Sequence, residues 1–246
     1  MDYMALYNNI TGDTISRSSF FAAAKRVDPS FKETQIRFYI GKMQEQKLLF
    51  RIGRGLYSKG VSKATCYRAN NSKTAKIIIS ILTKEYPLVS FRVWDLFALN
   101  EFANHLMARN CVFLETEADG MEFIYQRLIK TFPKNVLLNP SKKEIDAYSA
   151  DGSIIITPLK SECPKGIDGD YNLSLEKLIV DMFANRTLQL FVSKGDYPLA
   201  LEEMFSKYNI NQTKLFRYAR RRNKEALILS FLREKTNVKI LAEDKR

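Results

Sequence analysis

The feature that most constrains this chain is an amphipathic helix pattern followed at once by two short apolar runs separated by glycines. Within residues 32–46, Ile36, Ile40 and Met43 recur at i, i+4 and i+7, which predicts a helix with one buried stripe. The sequence LLFRIGRGLYSKG that follows predicts two strands joined by a tight turn at residues 53–55. This part of the chain is therefore expected to be a helix beside a β-hairpin.

A second helix is predicted just upstream, over residues 15–27. Serines at its start can cap the first backbone N–H groups, and Phe20, Ala24 and Val27 fall at near-helical spacing. The run Asp-Pro-Ser at residues 28–30 ends the pattern. Helix, turn, helix and hairpin in this order are typical of a winged helix-turn-helix, a module that binds duplex DNA.

A polar stretch over residues 58–72 separates this unit from the rest, so we divide the chain into domains at 1–65 and 66–246. Beyond it, the periodicity predicts helices and strands in alternation. Helices are expected at 73–86, 92–107 and 120–131, strands at 111–116, 136–138 and 154–157, and further helices at 175–185, 198–209, 211–222 and 225–235. The predicted fold class is α+β: an N-terminal winged helix-turn-helix, then a mixed α/β domain with a helical C-terminal third.

The positive charge is concentrated at the two ends of the chain. The net charge is +12, and residues 1–65 hold 11 lysines and arginines against 5 acidic residues. Residues 66–213 hold 17 against 18, and residues 214–246 hold 11 against 4. Two basic regions around a near-neutral middle indicate two places where a polyanion can bind, with nucleic acid the leading candidate. Two solvated basic faces without a ligand are the alternative.

The DNA-facing residues follow from the apolar stripe, because helical geometry places a second set on the opposite side. Arg37 suits a bidentate contact to a guanine edge. Phe38 suits either a contact to a thymine methyl group or a packing position against the hairpin or the second domain. Arg51 and Arg54 flank the predicted turn, where arginines approach phosphates closely. The full set of DNA-binding candidates is Lys32, Thr34, Gln35, Arg37, Phe38, Lys42, Arg51, Arg54 and Lys59.

A second basic patch lies near the C-terminus, in the sequence FRYARRRNK over residues 216–224. Its candidate contacts are Arg217, Arg220, Arg221 and Arg222. They would lengthen the DNA footprint by contacting further phosphates. A solvated helix face, or a docking surface for RNA or an acidic partner, is equally compatible with this composition.

The run from Thr34 to Tyr57 carries a family resemblance. With TQIRFY in the helix, KLL before the hairpin and RIGRGLY within it, this segment resembles the N-terminal winged helix of the AbiEi-type antitoxins of type IV toxin–antitoxin systems. SLEKLIVD at 174–181 is similar to the helix that often begins the helical end of that family's second domain. The resemblance implies an autorepressor that binds promoter inverted repeats, which would suit a dimer, and counteracts a nucleotidyltransferase-like toxin of an abortive infection system.

Two other function classes stay open on the residues themselves. A metal-dependent nuclease would use acidic residues at strand ends near a lysine, for which Glu115, Glu117 and Lys160 are candidates, with Asp95 or Asp151. An RNA-binding protein would use the C-terminal basic patch. The sequence shows no Gly-Ser turn with paired acids, no Walker A run, no GxSxG and no dinucleotide fingerprint. We therefore expect no enzyme, no catalytic residue and no cofactor.

The expected location is the bacterial cytoplasm. The opening MDYMALYNNITGD has no basic run followed by an apolar leader, and no window approaches the roughly 18 apolar residues that cross a bilayer. Cys66, Cys111 and Cys163 are odd in number and widely spaced, so they predict neither a disulfide framework nor a metal site. We expect reduced thiols and no contact with a membrane.

Overall fold

The computed structural model describes residues 2–12, 14–46, 48–53, 55–59, 66–103 and 106–240. Its N-terminal unit pairs three helices with a three-stranded antiparallel sheet in which β3 lies between β1 and β2. The elements are α1 (Tyr3–Asn9), β1 (Thr14–Ser16), α2 (Arg17–Val27), a 3-10 turn (Glu33–Gln35), α3 (Ile36–Glu45), β2 (Leu49–Gly53) and β3 (Leu56–Lys59).

Local sequence explains where these elements begin and turn. The Ser16 hydroxyl accepts a hydrogen bond from the backbone N–H of Ser19, and the Ser19 hydroxyl accepts one from the backbone N–H of Ser16, a reciprocal cap that starts α2. Gly55 between β2 and β3 has φ +69°, a conformation that favours glycine. The predicted apolar stripe of α3 is the buried face of that helix, in one core with Phe20 and Leu49.

The rest of the chain forms a mixed sheet between two helical layers. The strands are β4 (Phe91–Asp95), β5 (Cys111–Thr116), β6 (Val136–Leu138) and β7 (Ser153–Pro158), in the order β4-β5-β7-β6. β4 runs antiparallel to β5, whereas β7 is parallel to both β5 and β6. The helices are α4 (Lys73–Glu85), α5 (Met121–Thr131), α6 (Lys142–Tyr148), α7 (Leu175–Ala184), α8 (Tyr197–Lys207), α9 (Gln212–Arg221) and α10 (Glu225–Lys235).

The two faces of this sheet bury different partners, because successive strand side chains point to opposite sides. Val112 and Leu114 of β5 pack with residues of α4 and α5 in one core. Cys111 and Phe113 face the other way, into a larger core with the C-terminal helices. Glu115 follows Phe113 by two positions, so its side chain points to the same face of the sheet as Cys111 and Phe113, toward α7. The protein is thus α+β with a helical C-terminal region, as predicted.

One sequence prediction is wrong: the helix expected at 92–107 is not present over residues 92–103. The structure has strand β4 followed by a 3-10 turn at Leu96–Glu101. All five residues of FRVWD are buried, so the strand lacks the alternating polarity that distinguishes a half-exposed strand from a helix. The short helices α1 and α6 were not predicted. The remaining predicted helices and strands are confirmed, with ends shifted by a few residues.

Two further expectations concern membranes and thiols. None of the helices in the described ranges combines the length and apolar character needed to cross a bilayer. The three cysteines are free, with Cys66 exposed and Cys111 and Cys163 buried.

Phe113 anchors the larger core, since its fully buried ring stacks on Trp94 with the two ring centroids 4.4 Å apart. We expect Phe113→Ala to lower the free energy of unfolding by about 3–5 kcal/mol, because it leaves a cavity beneath the C-terminal helices. Phe123→Ala on α5 is the matched control, since Phe123 is exposed, and should change it by about 0.5 kcal/mol or less. Chemical denaturation measures both, and equal losses would contradict this account of the core.

Candidate nucleic-acid interface

Helix α3 separates its apolar and polar residues onto opposite faces. Ile36, Ile40 and Met43 are buried, whereas Thr34 and Gln35 in the preceding turn and Arg37 and Phe38 in the first helical turn are exposed. Lys42 is partly exposed, and its ammonium group pairs with Glu45 at 2.8 Å. The outward face therefore carries an arginine, an aromatic ring and small polar groups, all accessible to a ligand.

Phe38 lies at the centre of this outward face. Its side chain is 59% exposed, and its ring meets Tyr39 edge-on with the centroids 5.5 Å apart. A phenyl ring this exposed is not buried against the hairpin or the second domain, which were the packing alternatives. The surface of α3 thus has an apolar element beside Arg37.

The start of α3 is fixed by local hydrogen bonds. The backbone N–H of Lys32 donates to Gln35 Oε1 at 2.8 Å, which leaves the amide nitrogen of Gln35 for other contacts. Glu33 lies 3.6 Å from the guanidinium of Arg17 on α2, and both side chains are exposed. Lys32 itself is exposed, so this edge of the helix keeps its positive charge at the surface.

The hairpin candidates differ in their positions. Arg51 on β2 is exposed. Lys59 on β3 is turned into the unit, where its ammonium group donates to the Ile10 carbonyl at 3.0 Å and lies 4.5 Å from the centre of the Tyr7 ring. Arg54 falls outside the described residues, so its proposed contact stays a prediction.

Helix α9 lies against β2 of the N-terminal unit, and β2 also contacts α3. The basic patch of the C-terminal region and the basic hairpin, more than 150 residues apart in sequence, are therefore neighbours. This proximity was not predicted from the sequence, because no local pattern indicates which distant elements meet.

The three arginines of α9 lie on the surface with exposed or partly exposed partners. Arg217 Nε is 3.6 Å from a Glu162 carboxylate oxygen, and Arg220 donates to both oxygens of Glu225 at 2.8 and 2.6 Å. Arg221 Nε donates to the Ser161 hydroxyl at 2.6 Å. Ion pairs this exposed contribute about 0–1 kcal/mol, so a phosphate can replace the acidic partners at little cost.

Arg222 points inward instead. Its Nη1 donates to Asp181 Oδ1 at 2.6 Å and to the Tyr218 hydroxyl at 2.9 Å, and its Nη2 donates to the Ala184 carbonyl at 3.0 Å. Only 12% of its side chain is exposed. Its guanidinium group is therefore engaged with α7, in contrast to its three neighbours.

Arg222 belongs to a buried charge cluster formed with Glu115, Lys177 and Asp181. Lys177 Nζ donates to Glu115 Oε1 and to Asp181 Oδ2, both at 2.5 Å, and its side chain is fully buried. It also lies 5.5 Å from the centre of the Trp94 ring. Burial disfavours the charged lysine, but the Asp181 and Glu115 carboxylates outweigh this and hold the pKa of Lys177 well above its ordinary value.

Sequence reasoning missed this cluster, although one signal was present. Lys177 and Asp181 are charges at i and i+4 in LEKLIVDMFA, a helix that is apolar apart from these two residues and Glu176. A charged pair within a helix that is apolar on most sides indicates buried partners elsewhere in the fold.

The carboxylates of the nuclease alternative are engaged in hydrogen bonds and ion pairs within the protein. Glu115 belongs to the buried cluster, while Glu117 accepts from the Ser90 backbone N–H at 3.1 Å. Asp95 accepts from Asn110 Nδ2 and Asp151 from the Asn110 backbone N–H, each at 2.7 Å. In the parts of the chain that the structure describes, no group of three His, Cys, Asp or Glu side chains is placed to share a metal ion.

Comparison with known proteins gives one family match. The model of a family of unknown function (DUF6577) matches residues 35–238. Among solved structures, the crystal structure of the RV2827C protein from Mycobacterium tuberculosis is similar over 97% of this chain and 81% of that chain, with 11% identity and a TM-score of 0.24. At so low a score this likeness bears on neither fold nor function. No curated protein sequence matches the chain.

The buried cluster predicts the behaviour of Lys177→Met, which keeps the volume but removes the charge. We expect it to lower the free energy of unfolding at pH 7 by about 3–5 kcal/mol, because Glu115 loses its buried cation. The natural Lys177 has a raised pKa, so its stabilisation is complete below the unfolded-state value of about 10.4 and declines only in strongly alkaline solution.

The matched control is Lys207→Met. Lys207 makes an exposed pair with Glu203 at the same four-residue spacing, and its loss should cost about 1 kcal/mol or less. Denaturation curves at pH 7 measure both losses, and similar losses for the two variants would refute the prediction.

Proposed function

The chain belongs to a family of unknown function, DUF6577, and we propose that it is a sequence-specific DNA-binding regulator whose N-terminal unit is a winged helix-turn-helix. In this proposal α3 enters the major groove and the β2–β3 hairpin is the wing that follows the backbone. Arg37 reads a base edge, while Lys32, Thr34, Gln35, Lys42 and Arg51 contact phosphates or bases.

The observation that carries the proposal is that β2 contacts both α3 and α9. The elements that carry the exposed Arg37, the exposed Arg51 and the outward arginines of α9 are therefore neighbours in the fold. Phosphate neutralisation by such a cationic region supplies most of the non-specific affinity for DNA, and a helix face with an arginine supplies discrimination among bases. In this scheme α9 lengthens the footprint through Arg217, Arg220 and Arg221.

The proposal predicts how the protein binds duplex DNA from the region upstream of its own coding sequence. Fluorescence anisotropy should show tighter binding to that duplex than to a scrambled one. Arg37→Ala should remove about 1–3 kcal/mol of this discrimination, because alanine cannot form the bidentate hydrogen bonds to a base edge. Arg127→Ala is the control, since Arg127 pairs with Glu85 on the other side of the sheet, and should leave it unchanged.

A salt series in the same assay distinguishes the role of α9. Arg217→Ala or Arg221→Ala should weaken binding to both duplexes alike and lower the slope of log affinity against log salt by about 0.9 for each phosphate that is no longer neutralised. Equal, weak binding of the natural protein to both duplexes would contradict sequence-specific regulation. An unchanged salt slope would instead remove α9 from the interface.

We extend the proposal to an antitoxin acting in the bacterial cytoplasm, as an autoregulator that also counteracts a nucleotidyltransferase-like toxin. Its support is the resemblance of residues 34–57 to the AbiEi-type antitoxins. A nucleotidyltransferase-like protein encoded beside this chain should arrest growth when it is expressed alone. Co-expression of this chain should relieve that arrest. Relief by the full chain but not by a Lys177→Met variant would assign the effect to an intact second domain, and persistent arrest with the full chain would refute the antitoxin role.

A further inference from the structure

Gly41 lies in the interior of α3 without a structural reason to be glycine. A Cβ added there would meet no atom within 4 Å, and its φ is not in the left-handed region. By contrast, a Cβ on Gly166 would lie 2.4 Å from the Asn172 carbonyl oxygen, and Gly55 has a positive φ. Among the described glycines, only Gly41 combines open space with a helical backbone. Glycine within a helix destabilises it relative to alanine, so this residue weakens the free protein without any internal compensation.

The missing side chain exposes the turn that precedes Gly41. Helical side chains lean toward the N-terminus, so a side chain at position 41 would cover the surface over Arg37 and Phe38. Phe38, one turn before Gly41, is 59% exposed. On the outward face of α3, Phe38 is therefore exposed and position 41 carries no side chain, next to the exposed Arg37; we call the open surface at Phe38 and Gly41 the notch.

We propose that the notch of Phe38 and Gly41 receives the 5-methyl group of a thymine in the major groove, an inference that rests on the proposed DNA-binding function. The thymine methyl is the apolar group that base pairs present in that groove. The donors and acceptors of the other bases would lose water against a phenyl ring that offers no hydrogen bond. The absent Cβ lets the helix backbone approach the base edge closely, and the positive charge of Arg37 beside the notch complements the negatively charged duplex.

Replacing single thymines by deoxyuridine in the bound duplex tests this directly, because the change removes only the methyl group. For the natural protein, replacing one particular thymine of the recognised site should lower the affinity for the duplex about three- to fivefold, the effect expected for one buried carbon. Phe38→Ala should bind more weakly and no longer distinguish thymine from uracil at that position. Phe123→Ala, which removes an exposed ring from α5, should retain the full distinction.

Gly41→Ala gives a second readout that a merely structural role would not produce. Its unfolding midpoint should rise by about 2–4 °C, because alanine favours the helix and meets no clash. Its affinity for the thymine duplex should nevertheless fall at least fivefold, with loss of the thymine-to-uracil difference, because the new methyl group fills the notch. A more stable protein that binds DNA less tightly is the signature of a glycine retained for its ligand.

The outcomes separate this inference from the function on which it rests. Binding that does not distinguish upstream from scrambled DNA would overturn both. Sequence-specific binding in which every deoxyuridine replacement has the same effect on the natural protein and on Phe38→Ala would overturn the notch alone. A change from dimer to monomer in Phe38→Ala, with thymine discrimination intact, would likewise overturn it and assign Phe38 to a protein contact.

Discussion

The buried charges of Glu115, Lys177, Asp181 and Arg222 fix three parts of the fold relative to one another. Glu115 is on strand β5, Lys177 and Asp181 are on α7, and Arg222 follows the last turn of α9. Moving a single charge out of water costs several kcal/mol, so each of these groups is tolerable inside only while its partners are in place. The pairing therefore complements apolar packing, which is non-directional, with a requirement for one specific placement of α9 on α7.

That placement decides which charges are left for a ligand. Arg222, just after α9, is paired inside the protein with Asp181. Arg217 and Arg221, on α9, remain at the surface beside partners that bind them weakly. Because α9 also lies against β2, these surface charges add to those of the N-terminal unit. Exposed charges interact over about 8–10 Å at physiological salt, so only cations on contacting elements such as α9 and β2 can reinforce one another at a bound polyanion.

Most of the local structure followed from the sequence because it depends on neighbours along the chain. The stripe of Ile36, Ile40 and Met43, the hairpin with Gly55 and the four C-terminal helices were all predicted from periodicity and turn residues. Strand β4 was missed because all its residues are buried, so FRVWD does not alternate strictly between apolar and polar residues and is not distinguished from a helix segment. Exposure of Thr34, Arg37 and Phe38 followed from the same helical geometry, whereas the inward turn of Lys59 depends on Ile10 and Tyr7 of α1 and its following loop.

The sequence by itself therefore determined the elements, their buried faces and the excess of positive charge at both ends. Only the tertiary structure decided which of those charges are neutralised internally and which basic segments meet. The physical reason is the range of the interactions: helical and strand periodicity arise between residues a few positions apart. Lys177 meets Glu115 across 62 positions and Arg222 meets Asp181 across 41, contacts that exist only once the sheet and helices have packed. The contact between α9 and β2 likewise joins segments that are far apart in sequence and forms only in the packed fold.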